Sequence, residues 1–495
     1  MSNKIMKTTL ASVLALMSAA ACVPGIAANT SFTGSAIIAS AEAVYGDFTY
    51  DNLSDGTVAV TKYSGSSTDV TIPSEINGQK VTQIGKNIFL KKTNITKITI
   101  PSTVTEIGEF AFTSCESLES ITIPDSVTTI GRGAFAGCSG LTSVKLSANL
   151  DAIPEGIFQR CSALTEVSIP DSAASIGSFA FQECTALTKV TMPSSVEFIG
   201  KKAFYNCEEL ASIAVPAGVK ELNEYTFCGC KKLSKVTLPS GLTTIGDSAF
   251  SNCDSLADFT MPSTLTTIGT NAFANCKTLT SVSIPDSVEE IGVMAFTNCH
   301  GITSVKLPKN IKTISKGAFI STGIKSVTIP DGVTAINEVA FYNCTSLAKV
   351  TLPKSLTSVG TKAFGACTAL KSVEYKGTKA ELSAVTIGDG NEALTGASVT
   401  YGNSSSTSLY PVVQTQVKDH KIGFKWTKVP GAEKYGIGVY QANKWVVKKQ
   451  VDGSVTTWTS PQVANGTYRL VVLAKVNGQW VNADVFKKSF YVTVK

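Results

Sequence analysis

The sequence predicts a mostly β protein with short helical or irregular returns: a repeat solenoid of about 13 units, followed by a small β-sandwich. Three observations carry that prediction. Cysteines stand at 115, 138, 161, 184, 207, 230, 253, 276 and 299, always 23 residues apart, and resume at 344 and 367. A phenylalanine precedes each by three residues, from Phe112 to Phe364, and Phe89 and Phe319 continue the series where the cysteine is missing, which makes 13 units. After residue 408 the period vanishes, and short β-rich runs replace it.

One unit shows why the chain coils. In Leu118-Glu-Ser-Ile121-Thr-Ile123-Pro124-Asp-Ser-Val127-Thr-Thr-Ile130-Gly131-Arg-Gly-Ala134-Phe135-Ala-Gly-Cys138 the apolar positions persist along the chain while the others drift. Ile121-Thr122-Ile123 alternates like a strand with one buried face. Pro124 ends it, having no N–H for a ladder. Ile130-Gly131 turns the chain, and Ala134-Phe135 with Cys138 opens a short helical or irregular return. A unit this small cannot bury its own apolar edge, whereas stacked units share a continuous core. At roughly 4.8 Å per strand, such a stack is on the order of 60 Å long.

The ends read as caps. Residues 44–80 hold Asp55-Gly56 between strand-like runs, a hairpin signal, and Lys92 stands where later units have cysteine. The motif fades across 375–401. Ser147 replaces the proline, Ile153-Pro154 and Leu222-Asn223 replace Ile-Gly, and the unit with Thr322 is one residue short. Each marks a local bend or a functional notch.

Ahead of the caps, residues 1–43 read as an export leader. Lys4 and Lys7 precede the apolar run Leu10–Ala21, and cleavage is expected after Ala28 or Ala43. The run is too short to span a bilayer, and no later stretch predicts a transmembrane segment. The chain is therefore expected to be secreted, with or without association with the cell surface. The formal charge of +6 is unevenly spread: residues 409–495 carry 13 Lys+Arg against 4 Asp+Glu, a net of +9. The solenoid has no concentrated basic face, which argues against nucleic acid. The tail's charge suits an anionic cell-envelope polymer.

The repeat Leu-x-x-Ile-x-Ile-Pro-x-Ser-Val-x-x-Ile-Gly-x-x-Ala-Phe-x-x-Cys resembles the BspA-like class of leucine-rich repeats, over about residues 45–401. It departs from the general leucine-rich pattern in placing Ser126 where Asn or Cys is usual. The resemblance implies a leucine-rich-repeat solenoid over 44–401 and a surface or secreted protein associated with adhesion. Residues 402–408 read as a linker. In the tail, Trp426, the segment Val429-Pro430-Gly431-Ala432-Glu433-Lys434-Tyr435 and Gly466-Thr467-Tyr468 resemble a fibronectin type III domain over 409–495. That likeness implies a core role for Trp426 and a corner role for Tyr468.

The two histidines, His300 and His420, form no His-x-x-x-His pair. There is no Gly-x-Ser-x-Gly elbow and no phosphate loop, so the reading is not enzymatic and calls for no cofactor, metal or catalytic residue. Eleven cysteines share one structural position, which predicts a buried column of reduced thiols, with Cys228 outside the period. Two exposed columns remain on the strands, small, hydroxylic and free of aromatics. From them Lys145, Lys189, Thr191, Lys235, Thr237 and Lys306 are the candidate ligand-binding residues, joined in the tail by Trp445 and Trp480. The expected partner is a protein or glycan of a host or neighbouring cell surface. A component or accessory of an extracellular polysaccharide-degrading system is the alternative.

Overall fold

The computed structural model describes residues 43–402, 410–476, 478–482 and 485–495. Apart from Ala43 and Gly402, the leader and the linker lie outside the described residues. Ala43 opens the first strand of the cap, Ala43–Tyr45.

Each coil carries two short strands. Ser120–Thr122 buries Ile121 and exposes its neighbours, as the alternation predicts. Pro124 then accepts the N–H of Val127 at 3.0 Å and turns the chain into Thr129–Ile130. Both strands pair in parallel with the adjacent coil at the 23-residue register, Ser143 opposite Ser120 and Thr129 opposite Glu106. Gly131 answers to this stacking, since a Cβ there would stand 2.4 Å from the Glu109 nitrogen.

The return contains no helix, which settles the choice between helical and irregular. Two residues per coil take left-handed backbone conformations, one on each side of the phenylalanine: Phe110 and Ser114 about Phe112, Asn271 and Asn275 about Phe273. A helix would spend its N–H groups internally. These turns instead send them to the next coil, Phe112 N–H to Ala134 and Ser114 N–H to Ala136, both at 2.7 Å. The return side of the coil is thus hydrogen-bonded to its neighbour. Among the described residues, helices occur only at Lys379–Ser383, Glu392–Thr395 and Val485–Lys488. Val339 is the least suited occupant of a left-handed position (φ 51°) because it is β-branched. Val339→Asn should therefore raise the unfolding free energy by about 1 kcal/mol. Urea denaturation checks this, and a loss of stability would refute strain at that turn.

Inside, the phenylalanines from Phe89 to Phe364 form an unbroken stack. Successive ring centroids are 4.8–5.7 Å apart, with planes within 23° of parallel. The cysteines run beside them. Each thiol of the column reaches the phenylalanine carbonyl of the preceding coil, Cys138 to Phe112 at 3.2 Å and Cys299 to Phe273 at 3.0 Å. That carbonyl also accepts a backbone N–H, Cys115 to Phe112 at 3.2 Å. All twelve cysteines from 115 to 367 are buried free thiols, Cys228 included.

The ladder outruns the motif, with about 15 turns in place of the 13 expected. Asp69–Thr71 adds a strand before Lys97–Thr99, and Ser398–Tyr401 adds one after Ser372–Tyr375. At the N-terminal end the Asp55-Gly56 hairpin joins Phe48–Asn52 to Val58–Tyr63. The hydroxyl and N–H of Thr57 both donate to Asp55 and hold its carboxyl below the usual range. At the other end Thr378 and Glu381 cap Lys379–Ser383 reciprocally. With the Thr378 N–H, Lys354 and the Thr378 hydroxyl donating to it, Glu381 is held down to about 2.

The sequence departures are absorbed locally. Ser147 is buried and donates to the Val127 carbonyl at 2.6 Å, and the Asn223 amide donates to the Ile199 carbonyl at 2.7 Å. Thr322 donates to the carbonyl of Phe319 in its own coil at 3.1 Å.

The tail is built from two sheets that share one core. The smaller runs Val413–Lys418, Lys421–Trp426, Thr457–Thr459. In the larger, Lys444–Asp452, Ala432–Gln441, Gly466–Val476 and Gln479–Trp480 lie side by side, and Phe490–Val494 also pairs with Gly466–Val476. Trp426 is buried in that core, its ring 5.5 Å from Tyr435. The Tyr468 hydroxyl donates to the Ala464 carbonyl, four residues upstream, at 2.8 Å.

Candidate functional site

The exposed strand columns form one face of the solenoid, because each three-residue strand buries only its centre. Lys145, Lys189, Thr191, Lys235, Thr237 and Lys306 are all exposed on it. The ladder beneath them is segmented. It runs unbroken from Asp69–Thr71 to Ser143–Lys145, then in pairs: Glu166–Ser168 with Lys189–Thr191, Ser212–Ala214 with Lys235–Thr237, and Ser281–Ser283 with Ser304–Lys306. It is continuous again from Ser326–Thr328 to Ser398–Tyr401.

All six candidates therefore lie on the last strand before an interruption. The central residues of those strands, Val144, Val190, Val236 and Val305, are only half-buried, whereas Ile121 and Val167 are buried. At the third interruption residues 258–260 form no strand. Phe259 replaces the usual aliphatic residue and packs edge-on against both Phe250 and Phe273, at 5.1 and 4.9 Å.

The lysines of this face divide into two kinds. Lys97 pairs with Asp69 at 3.2 Å and Lys349 with Glu374 at 2.9 Å. Lys145, Lys189, Lys235 and Lys306 form no ion pair among the described residues. The first three recur every second coil, roughly 10 Å apart at strand spacing. The face thus presents spaced ammonium groups outside salt bridges among Ser and Thr hydroxyls, with Glu166 opposite Lys189 in the register.

Trp445 and Trp480 stand on strands of the tail's larger sheet. Trp445 lies opposite Tyr440 and Trp480 opposite Lys475, on the outer face of the five-stranded sheet. Both are half-buried. The Trp445 ring centroid is 5.2 Å from Tyr440 and 5.8 Å from Phe486. His300 donates from Nδ1 to the Ser321 carbonyl, 2.7 Å away, and His420 sits in a hairpin turn. Among the described residues no three His, Cys, Asp or Glu side chains are grouped to hold a metal ion.

Sequence reasoning missed an aromatic cluster on the return side. The Lys202 ammonium lies 5.9 Å from the Phe179 ring, 5.5 Å from Tyr205 and 5.1 Å from Tyr225. Phe179, Lys202 and Tyr225 hold left-handed positions in successive coils. The available signal was three large residues in succession at one position of the 23-residue period.

Among the described residues no helix is long and apolar enough to cross a membrane. The sequence matches the model of the BspA type leucine rich repeat region (6 copies) over residues 62–172, 151–280 and 268–386. A leucine-rich repeat protein from Bacteroides ovatus is 32% identical, covering 73% of this chain and 100% of its own, with a TM-score of 0.62. A leucine rich cell surface protein from Faecalibacterium prausnitzii is 31% identical, covering 70% of this chain and 98% of its own, with a TM-score of 0.50. No curated protein matches the sequence. With its motif, its stacked coils and these matches in agreement, the chain belongs to the BspA-type leucine-rich repeat family.

Proposed function

We propose that this chain is a secreted or cell-surface binding protein whose strand face engages a protein or glycan on a host or neighbouring cell. The observation that carries the reading is the row of unpaired lysines at the interruptions of the ladder. A hydroxylic face with ammonium groups two or three coils apart suits an extended acidic partner, with charge governing encounter and register. The Faecalibacterium relative, itself described as a cell surface protein, supports the same setting. Replacing Lys145, Lys189, Lys235 and Lys306 together by Gln should weaken capture of partners from host mucus or the producer's envelope at least about tenfold. The melting temperature should hold, since all four side chains are exposed. Equal capture by the quadruple variant would refute this face. Incubation with plant and mucin glycans separates the alternative: released products favour an accessory of polysaccharide degradation, retention without turnover favours binding.

For the tail, the strand order, the buried Trp426 and the Tyr468 hydroxyl on an upstream carbonyl support a fibronectin type III-like module. Its excess of lysine supports a role in holding the solenoid to an anionic cell-envelope polymer. Salt should release such a tether, because screening shortens the reach of exposed charges to about 3 Å at 1 M.

A further inference from the structure

The outer face of a small sandwich is ordinarily polar, but here the five-stranded sheet carries an apolar slot. Register places Gly436, Gly438 and Tyr440 on that face, with Val447 opposite Gly438, and Val471 and Leu473 opposite the two glycines on the other side. Trp445 and Trp480 come from the two strands that flank this pair. Both indoles lie over the glycines: a Cβ on Gly436 would stand 3.1 Å from the Trp480 ring, and one on Gly438 would stand 3.5 Å from Trp445. The slot encloses about 280 Å³, with Asn482 and Val485 completing its wall.

Three features define what fits. The volume lies just under the roughly 300–1,000 Å³ of sites for drug-sized ligands, which leaves room for one ring-sized group. The lining is apolar, the two indoles with Val447, Val471, Leu473 and Val485, and Asn482 is the polar side chain on its wall. Charge supplies the third. Lys434 and Lys475 lie opposite each other on the same outer face, beside Trp480, in a domain of net +9. A purely aliphatic guest would make no use of Asn482 or of the lysines. A pyranose ring offers C–H faces to the indoles, hydroxyl groups to Asn482 and, when acidic, a carboxylate or sulfate to the lysines.

We infer that this slot binds one pyranose unit of an acidic polysaccharide, between Trp445 and Trp480. The inference rests on the envelope-tether reading of the tail and gives it a defined recognition site.

The test uses the full chain on an array of uronic-acid, sialylated, sulfated and neutral glycans, and on a preparation of the producer's cell walls. Acidic glycans should be retained over neutral ones and should perturb tryptophan fluorescence. The Trp445→Ala, Trp480→Ala double variant should lose at least about tenfold in affinity. Val485→Trp, which keeps both indoles but fills the slot, should lose as much, and near-ultraviolet circular dichroism verifies that the tail remains folded. Retention on walls that is salt-sensitive yet unchanged by both variants would overturn the slot and leave the charge tether standing. Absence of retention on walls and on every acidic glycan would overturn both.

Discussion

Phe204→Ala should lower the unfolding free energy by about 3–5 kcal/mol, the range for truncating a buried aromatic. Phe204 is fully buried, and its ring stacks at 5.4 Å on Phe181 and 5.5 Å on Phe227. Removing it opens a cavity between two coils and breaks the stack on both sides. Regular hydrogen-bonding between coils leaves the surrounding backbone little freedom to collapse into the space. In a solenoid, stability is a sum over units and nearest-neighbour interfaces, so the loss should appear as separation of two transitions rather than uniform softening. The interrupted ladder around residues 258–260 is where the second boundary should form. Circular dichroism with hydrogen exchange checks this. An unchanged melt would refute the spine, and a single unbroken transition would refute independent blocks.

Much of this architecture was legible because stacking imposes identical demands at identical intervals. Every coil needs an aromatic at the centre and a small apolar group beside it, so Phe and Cys recur and their burial follows. The Asp55-Gly56 hairpin was equally plain, since its turn needs φ above zero at Gly56 (82°). The left-handed column was not legible. It is held by the main-chain ladder, and it admits Gly133, Phe179, Lys202, Asn271, Met294 and Val339 without a common side chain. The two additional turns were hidden for the same reason: main-chain pairing at Asp69–Thr71 and Ser398–Tyr401 requires no motif.

The candidate face was legible as two exposed columns, and Lys145, Lys189, Lys235 and Lys306 stood out within it by type. That they border interruptions depends on backbone pairing, which periodicity does not encode. Phe259 did carry a signal, an aromatic where neighbouring coils place Ile or Val. In the tail, 35 residues separate Trp445 from Trp480. Only the order of strands in the larger sheet brings them to one slot.

Alkali should destabilise the solenoid far more steeply than an ordinary β protein. Burial pushes the column thiols from Cys115 to Cys276 up, Cys115 to about 12 and Cys161, Cys207 and Cys253 well above the ordinary range. In the unfolded chain the same groups titrate near 8.5. A group whose pKa is raised on folding contributes fully below its unfolded value and loses that contribution as pH climbs toward its folded value. For Cys115 the window therefore runs from about 8.5 to about 12. Each thiol costs about 1.4 kcal/mol per pH unit within its window, or about 2 kcal/mol by pH 10. A block of five coils that opens together would lose about 10 kcal/mol on that reckoning, comparable to the whole stability of a typical domain. The melting temperature should accordingly fall sharply between pH 8.5 and 10. Lys and Tyr also titrate near pH 10, so the comparison is with a variant carrying Cys184→Ala, Cys207→Ala and Cys230→Ala. That variant should start less stable and show a shallower pH dependence, because it keeps every Lys and Tyr while lacking three of the thiols. Alkylation at pH 8 gives an independent reading: the native column should react only as fast as coils open. Equal pH slopes for the two proteins, or prompt native labelling, would mean that the thiols are not held protonated by burial.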